Sequence, residues 1–380
     1  MSAASKTGVA ILGAGLFAKE AHVPSLETLG PLAPTVKAVY SRSEKSAREL
    51  ADEVTKRLNT KPGVYHDSDP ASNLDALLAR ADISSVIVVL PITQQPSIIL
   101  KALAAGKHVL SEKPVAPDVA SGARLIATYN AEYKPKGLVW RVAENFEAEP
   151  GYIAVGRAIR AGKIGKVVFF SLRVVNYIDQ ESKWYKTPWR TIPDYQGGFL
   201  LDGGVHSTAS LRVMLPSSLT HLSGFASLNK DYLAPHDTIN TILKAADGSH
   251  GIFELSFAAP SASRSSIGNG TIITGTDGYL TVAQTKVQDP VTGGDKSVFR
   301  VTIKSVKTEN GKAGPEKEEV IDEAVRGVEL ELASFFAAAL EGKDDGLGDP
   351  LGALKDVALI QAALNSEGKL VDLENLVQQS

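Results

Sequence analysis

The 380-residue chain contains no cysteine, which excludes disulfide bonds, thiolate nucleophiles and cysteine metal ligands. Its seven histidines are scattered, and none shows the close spacing that metal sites use, so we expect no bound metal. No apolar run is long enough to cross a membrane, and the polar segment Met1–Thr7 does not resemble a signal peptide. These absences together favour a cytoplasmic protein.

An excess of charge of one sign is also missing. The formal net charge is −3 and the basic residues form no block, which argues against a surface for nucleic acid. With 43% hydrophobic residues the chain can bury a full core, and its length suggests two domains.

The first part of the chain alternates short apolar runs with helical segments. Because helices join the strands of a parallel sheet, six such runs predict a doubly wound parallel sheet, which we assign to residues 1–142. The predicted strands are Gly8–Leu12, Thr35–Tyr40, Val64–His66, Val86–Leu90, His108–Ser111 and Gly137–Val142.

A glycine-rich turn follows the first of these strands. The next six residues read Gly-Ala-Gly-Leu-Phe-Ala, which matches the G-x-G-x-x-A pattern of dinucleotide-binding turns. In that pattern Gly13 allows the tight turn, Gly15 lets the backbone approach a pyrophosphate, and Ala18 permits close packing of helix on strand. The helix that follows offers amide donors to the anion, so we include Leu16 and Phe17 in the cofactor-binding segment.

The end of the second predicted strand bears on the choice between NAD and NADP. An acidic residue there would bind a ribose 2′-hydroxyl, whereas this chain has Ser41 and Arg42, with Lys45 one turn on. Serine and arginine suit a 2′-phosphate, which an acid would repel, so NADP(H) is favoured over NAD(H). The alternative is an ordinary polar loop in which Ser43 caps a helix over Glu44–Leu58, and both interpretations can be true.

Two other strand ends stand out, because ligands of doubly wound sheets bind at the carboxyl ends of the strands. A Glu-Lys pair beside a proline is common on protein surfaces, where the lysine is simply a solvated charge. Because this pair follows a predicted central strand, we expect Lys113 to be more than that. The residues concerned are Leu90, Pro91, Ile92, Gln95, Glu112 and Lys113.

After the sixth strand the pattern changes, and Asn145 lies in the crossover to a second domain over residues 143–380. Long strands with few intervening helices predict a large, mostly antiparallel sheet. Residues 310–317 are predicted to form a polar turn or loop, and Val328–Leu340 and Leu351–Leu364 to form amphipathic helices. The predicted strands are Val167–Ile178, Ser218–Leu228, Thr238–Ala245, Gly251–Phe257, Gly270–Thr276, Tyr279–Gln284 and Ser297–Lys307.

The segment from Gly197 to Met214 is typical of a glycine-rich turn that leads into a buried helix. Asp202 and His206 are four residues apart, so a helix places them on one face. An acid and an imidazole side by side can position a substrate hydroxyl and relay its proton. The alternative is a capped helix whose histidine satisfies a core hydrogen bond, and the segment taken alone favours that alternative.

Three motifs together resemble the Gfo/Idh/MocA family in their order and spacing: the glycine-rich turn, the Glu-Lys-Pro triplet, and the Gly-Gly…Asp…His helix. That family includes glucose–fructose oxidoreductase, inositol 2-dehydrogenase and dihydrodiol dehydrogenase. The resemblance covers nearly the whole chain. The pair Trp189 and Arg190, placed before the Gly-Gly-Phe sequence, resembles a fungal-type cytoplasmic NADP-dependent branch.

The resemblance implies a Rossmann domain followed by an α/β domain whose open sheet commonly forms a dimer interface. It places Lys113 beside the nicotinamide and the reacting carbon, His206 as proton donor or acceptor, and Asp202 as the residue that orients substrate. The residues that the motifs and the resemblance assign to cofactor binding are Gly13, Gly15, Leu16, Phe17, Ser41, Arg42, Lys45, Leu90, Pro91, Ile92, Gln95, Glu112, Lys113, Asn145, Trp189 and Arg190.

One segment departs from the family pattern. The family often has Thr-Pro-Asn-x-x-His after the fourth strand, whereas this chain has Leu90, Pro91, Ile92 and, at the histidine position, Gln95. We expect the backbone turn to be kept and the side-chain contacts to differ.

The function expected from the resemblance is hydride transfer between NADP(H) and a carbonyl or secondary alcohol of a sugar, polyol or related small molecule, by a homodimer. One alternative is a non-catalytic NADP-binding sensor or regulator on the same fold, against which intact Lys113, Asp202 and His206 argue. Another is an enzyme that keeps bound NADP as an internal redox centre for elimination or sugar transfer.

Overall fold

The computed structural model describes residues 8–265, 267–290, 292–309 and 312–379. These residues form two compact units, which are described separately here. The first unit lies within Met1–Asn145 and Val328–Leu354, and the second within Phe146–Gly327 and Lys355–Ser380. The two functional domains expected from the sequence remain a prediction.

Six strands make up the sheet in the described part of the first unit. They are β1 (Gly8–Leu12), β2 (Val36–Tyr40), β3 (Gly63–Tyr65), β4 (Ile83–Val88), β5 (His108–Glu112) and β6 (Trp140–Ala143). All pair in parallel, in the order β3-β2-β1-β4-β5-β6. A strand covered on both faces needs a continuous apolar sequence, and β1 is buried at every residue. The predicted doubly wound parallel sheet is confirmed.

Local side chains determine where several helices of the first unit begin. Ser43, Asn73 and Asp118 each accept a hydrogen bond from the backbone amide three residues further on, as helix N-caps do. The predicted capping of the second helix by Ser43 is therefore confirmed. The α-helices between β1 and β6 are α1 (Val23–Leu29), α2 (Glu44–Leu58), α3 (Leu74–Leu78), α4 (Gln95–Ala104) and α5 (Val119–Thr128). A π-helical turn over Ala18–His22 directly precedes α1.

The second unit contains a sheet of nine strands in the described residues. They are β7 (Val167–Val175), β8 (Leu219–Ser227), β9 (Thr238–Ala245), β10 (His250–Ser256), β11 (Gly270–Gly275), β12 (Gly278–Gln288), β13 (Asp295–Glu309), β14 (Lys312–Ala324) and β15 (Val371–Asp372). Their order is β14-β13-β12-β11-β7-β10-β9-β8-β15. Only the β7–β10 pair among them is parallel, so the predicted, mostly antiparallel sheet is confirmed.

The predicted polar loop over residues 310–317 is wrong from Lys312 onward. Residues 310 and 311 lie outside the described residues, but Lys312 begins β14, which pairs with β13. Residues 314–320 of β14 are all exposed, so no apolar alternation marks this strand in the sequence. Backbone hydrogen bonds to a neighbouring strand, rather than burial, produce the strand here.

The remaining helices are α6 (Pro150–Arg160), α7 (Pro188–Thr191), α8 (Phe199–Met214), α9 (Ala262–Ser265), α10 (Gly327–Glu341), α11 (Pro350–Asn365) and α12 (Leu373–Gln378). Leu332, Phe335 and Phe336 of α10 join the buried core of the first unit, together with side chains of β1 and β2. In the second unit α6 packs against β12, β13 and β14, and α8 packs against β10.

The other face of the second sheet is open within its unit and carries large apolar side chains. Phe169, Phe225, Ile242, Ile252 and Ile272 are each about half exposed or more. Ile242 on β9 and Ile252 on β10 lie directly opposite each other across the two strands. Because contiguous apolar surface of this kind commonly marks an interaction site, this face bears on the assembly of the protein.

Candidate functional site

Five of the segments predicted to bind the cofactor lie along one edge of the first sheet. They follow β1, β2, β4, β5 and β6, and the carboxyl ends of parallel strands share an edge. The strand order reverses between β1 and β4, which are neighbours at the centre of the sheet. Doubly wound sheets bind their ligands in the crevice outside such a reversal.

The glycine-rich turn is tightly packed at its first glycine and open at its second. Gly13 has φ +119° and its amide donates to the Tyr40 carbonyl at 2.8 Å, and a Cβ there would lie 2.0 Å from the Val89 oxygen. A Cβ on Gly15 would meet no atom within 4 Å. Ala18 is fully buried. The three positions therefore have the properties that a pyrophosphate-binding turn requires.

The end of β2 carries the residues expected to choose between cofactors. Ser41 is half-buried, and Arg42 and Lys45 are exposed. A carboxylate that the motif did not indicate also lies here, because the Tyr40 hydroxyl donates to Asp67 Oδ1 at 2.7 Å. Burial first, and then this hydrogen bond, raises the pKa of Tyr40, so its phenol remains protonated at neutral pH. Asp67 was missed because it follows the third strand rather than the second.

The turn after β4 contains a buried glutamine whose side-chain amide has no hydrogen-bond partner among the described residues. The Gln94 amide donates to the Pro91 carbonyl at 2.9 Å, which closes the turn, and Ile92 is buried. Gln95 is 1% exposed, yet neither Oε1 nor Nε2 of its side chain has a hydrogen-bond partner among the described residues. Leaving such a group unpaired costs about 1–3 kcal/mol. This enclosed amide lies at the position where the chain departs from the family pattern.

Glu112 ends β5 and is bonded to a residue that the motifs did not single out. Glu112 Oε1 lies 2.6 Å from Nε2 of His22, and both side chains are buried. Lys113 follows at once and is half-buried, and its peptide bond to Pro114 is cis. No sequence signal links His22 to Glu112, because the two are 90 positions apart.

The other predicted cofactor residues of this unit lie at the same edge. Leu16 and Phe17 follow the glycine-rich turn, Leu90 follows β4 and Asn145 follows β6, and all four are half-buried. The sheet thus brings the predicted cofactor residues of the first unit to one edge. Their roles remain a prediction.

In the second unit, glycines bring α8 close to its neighbours. Gly197 and Gly198 both have positive φ, and a Cβ on Gly197 would lie 2.7 Å from Leu364. Within the helix, a Cβ on Gly203 would lie 2.8 Å from Phe257, and one on Gly204 2.7 Å from Leu255. Asp202 and His206 stand one turn apart on this buried helix, as predicted.

Asp202 is bound by Arg190, which sequence reasoning had assigned to the cofactor. Arg190 Nε donates to Asp202 Oδ2 at 2.7 Å, and the two side chains are 14% and 8% exposed. The Arg190 guanidinium also lies 4.1 Å from the ring centre of Trp189 and 5.4 Å from that of Trp184. Two aromatic rings and a carboxylate therefore fix this cation. The predicted cofactor contacts of Trp189 and Arg190 remain a prediction.

Aromatic side chains surround the same helix face. The His206 imidazole stands 4.9 Å from the Phe146 ring, at an interplanar angle of 30°. Tyr195 is buried, and its hydroxyl has no hydrogen-bond partner among the described residues. Burial, and then the charge of Asp202, raises the pKa of Tyr195. The sequence analysis missed this phenol, which interacts with the predicted catalytic acid Asp202. Its position seven residues before Asp202 was the only available signal.

Comparison with known proteins agrees with this geometry. A model of the oxidoreductase family with an NAD-binding Rossmann fold matches residues 7–135, and a model of the GFO/IDH/MocA C-terminal domain matches residues 152–281. The chain belongs to the GFO/IDH/MocA family of oxidoreductases. The family predicted from the motifs is confirmed.

Individual relatives of this GFO/IDH/MocA protein extend over most of the chain. Dehydrogenase FPY6 of Fusarium mangiferae is 40% identical in an alignment 368 residues long that covers 94% of this chain and 96% of that protein. A dTDP-3,4-didehydro-2,6-dideoxy-alpha-D-glucose 3-reductase of Streptomyces violaceoruber is 32% identical over 213 residues, 56% of this chain and 55% of that protein. The crystal structure of an oxidoreductase from Thermotoga maritima superposes with a TM-score of 0.80 at 28% identity, covering 98% of this chain and 99% of that one.

Two further features are absent from the described residues. Among them, no helix combines the length and apolarity that crossing a bilayer needs. Nor do they contain a group of three or more histidine or acidic side chains arranged to bind a metal ion.

Alanine substitutions at the two glycines of the turn should have different effects, one on stability and the other on cofactor binding. Gly13→Ala should lower the free energy of unfolding, because its Cβ would collide with the Val89 carbonyl at a positive φ. Gly15→Ala should fold as the wild type and lose dinucleotide affinity, because its Cβ enters open space that the pyrophosphate needs. Urea unfolding and cofactor fluorescence titration measure the two effects, and unchanged cofactor affinity in Gly15→Ala would contradict the assignment.

Proposed function

We propose that the protein transfers a hydride reversibly between NADP(H) and a carbonyl or secondary alcohol of a sugar, polyol or related small molecule, acting in the cytoplasm. The observation that carries the proposal is the open space at Gly15, set beside the closed packing at Gly13 and the reversal of strand order. The 3-reductase relative, whose name gives a keto-sugar derivative as its substrate, supports the substrate class.

The residues at the sheet edge fit a dinucleotide. Gly15, Leu16 and Phe17 would hold the pyrophosphate through backbone amides and the start of the helix, while Gly13, whose amide is bonded to Tyr40, allows the tight turn. Ser41, Arg42 and Lys45 would hold a 2′-phosphate by charge and hydrogen bonds. Leu90, Pro91, Ile92, Gln95 and Asn145 would line the remaining part of the cofactor.

The nicotinamide, when bound, supplies or accepts the hydride. The side chains of this protein manage the charge and the proton on the substrate oxygen. Lys113 stabilises the negative charge that develops on that oxygen during reduction, and His206 delivers the proton. Asp202 orients the substrate hydroxyl while its other interaction, the bond from Arg190, fixes its carboxylate. In the oxidative direction the same groups remove the proton and bind the alcohol.

Substituting the two proton-transfer candidates tests the mechanism. Lys113→Ala and His206→Ala should each lower the rate of single-turnover hydride transfer by roughly a hundred- to ten-thousand-fold, because a positioned acid–base group is lost. NADPH affinity should largely persist. Lys101→Ala, which removes a lysine paired with Asp75, and His221→Ala on β8 serve as matched controls. Near-normal transfer in either test variant, with a responsive substrate in hand, removes that residue from the mechanism.

Cofactor preference tests the role of the β2 end. NADPH should bind more tightly than NADH, and Arg42→Ala should reduce that preference by about tenfold, which corresponds to one charge-assisted hydrogen bond of about 1.5 kcal/mol. Arg48→Ala is the matched control, because Arg48 lies on the neighbouring helix and is bonded to Glu44 at 2.8 Å. Fluorescence titration with both cofactors measures the ratio. Equal affinities in the wild type, or an unchanged ratio in Arg42→Ala, would refute the NADP assignment.

We also propose that two subunits pair through the open face of the second sheet. The apolar side chains on that face support the pairing, since burying them removes a patch of hydrocarbon from water. The wild type should have the mass of a dimer in light scattering, and the double variant Ile242→Glu, Ile252→Glu should be a folded monomer. Leu32→Glu, at an apolar residue 75% exposed in the first unit, should remain dimeric. A monomeric wild type at micromolar concentration would count against the proposal.

A further inference from the structure

A buried hydrogen bond joins two segments at the edge of the first sheet where the carboxyl ends of its strands lie. This edge is called the ligand edge below. His22 ends the π-helical turn that follows the glycine-rich turn, and Glu112 ends β5 immediately before Lys113. Their Nε2 and Oε1 atoms are 2.6 Å apart, and the two side chains are 0% and 9% exposed. The bond therefore links the segment that would bind the pyrophosphate to the strand end that carries the proposed catalytic lysine.

The surroundings of the His22 imidazole assign its proton. Nδ1 is buried and has no hydrogen-bond partner among the described residues, and the ring of Phe17 stands edge-on to the imidazole at a centroid distance of 5.3 Å. A protonated imidazole would bury an unpaired charged donor at Nδ1, which costs far more than burying a lone pair. The proton therefore belongs on Nε2, which donates to the Glu112 carboxylate.

The Glu112 carboxylate in turn depends on this donor. Glu112 is 7% exposed, and a buried carboxylate without a hydrogen-bond donor is strongly destabilised. Without His22, the carboxyl group would have to take up a proton or move toward water. Either change acts on the last residue of β5 and so on the backbone that leads directly into Lys113.

We propose that His22 and Glu112 are positioning residues, whose buried bond fixes Lys113 relative to the glycine-rich turn. The inference rests on the proposed function for one point, the catalytic role of Lys113. The helix geometry supports it, because the π-helical turn ends at His22, where α1 begins. Single π-helical turns frequently occur at functional sites.

Four variants separate positioning from simple structural support. His22→Leu removes the donor, whereas His22→Gln keeps an amide N–H near the place of Nε2. The double variant His22→Leu, Glu112→Met removes donor and carboxylate together, so that no unpaired charge is left in the interior. His108→Leu is the matched control, since His108 lies at the opposite end of β5 and its Nδ1 accepts a hydrogen bond from the Val139 amide at 3.0 Å.

The readouts are single-turnover hydride transfer at saturating NADPH and the melting temperature. His22→Leu should slow transfer by about a hundredfold, the loss that a displacement near 1 Å can cause. His22→Gln should keep most of the rate, and His108→Leu should keep it whatever happens to its melting temperature. The double variant should regain thermal stability without regaining transfer. Recovery of both the melting temperature and the transfer rate in the double variant would overturn the proposal. A wild-type rate in His22→Leu would do so too.

Nuclear magnetic resonance of the imidazole nitrogens tests the bond without any substrate. Nε2 of His22 should carry the proton and Nδ1 should be bare, and Glu112→Met should abolish that preference. A His22 that carries its proton on Nδ1 would overturn the assignment. A wild-type protein that binds NADPH and transfers no hydride would refute the proposed function, and the nitrogen spectra would still decide whether the buried bond exists.

Discussion

The absence of a side chain at Gly13 is the steric constraint on which the ligand edge of the first unit depends. At that residue the chain leaves β1, bonds to the end of β2 through the Tyr40 carbonyl, and passes within contact distance of Val89 beyond β4. Three strand ends are drawn together because no Cβ separates them. Two residues later the chain turns outward at Gly15, where nothing crowds the backbone. Tight packing and open space are thus consequences of the same short turn.

In the second unit, close packing of a helix holds the predicted site residues in place. Its predicted catalytic side chains stand on one buried helix, and the glycines of that helix allow it to pack closely against neighbouring side chains. A site on a packed helix is held more accurately than one on a loop. Arg190 comes from a preceding segment and reaches the helix face at Asp202, between two tryptophan rings. The acid of the Asp…His pair is therefore oriented by a third group, an arrangement that proton-transfer sites commonly need.

Local signals predicted the fold well, and long-range contacts escaped them. Ser43 marked the start of α2 correctly because capping depends on residues only three positions apart. The predicted strand Thr238–Ala245 has the bounds of β9, in which every second side chain is buried. The prediction failed for the part of β14 from Lys312 onward, because most of its described side chains are exposed and no buried face shapes its sequence. The His22–Glu112 and Arg190–Asp202 pairs were not predicted, because nothing in the sequence specifies which distant polar groups the fold will bury together.

Two of the buried side chains that lack a hydrogen-bond partner among the described residues lie in segments that the sequence connects with the site. A folded chain normally pairs such groups, so an exception requires an explanation from strain, solvent or function. In the first unit the Gln95 amide is left unpaired in the turn where this chain departs from its family's usual residues. In the second unit the Tyr195 hydroxyl is left unpaired near Asp202. Each costs stability in the isolated chain, and each stands in a segment that sequence or geometry ties to chemistry. Both groups are enclosed by protein, so a bound molecule would reach either one only after the side chains around it had moved.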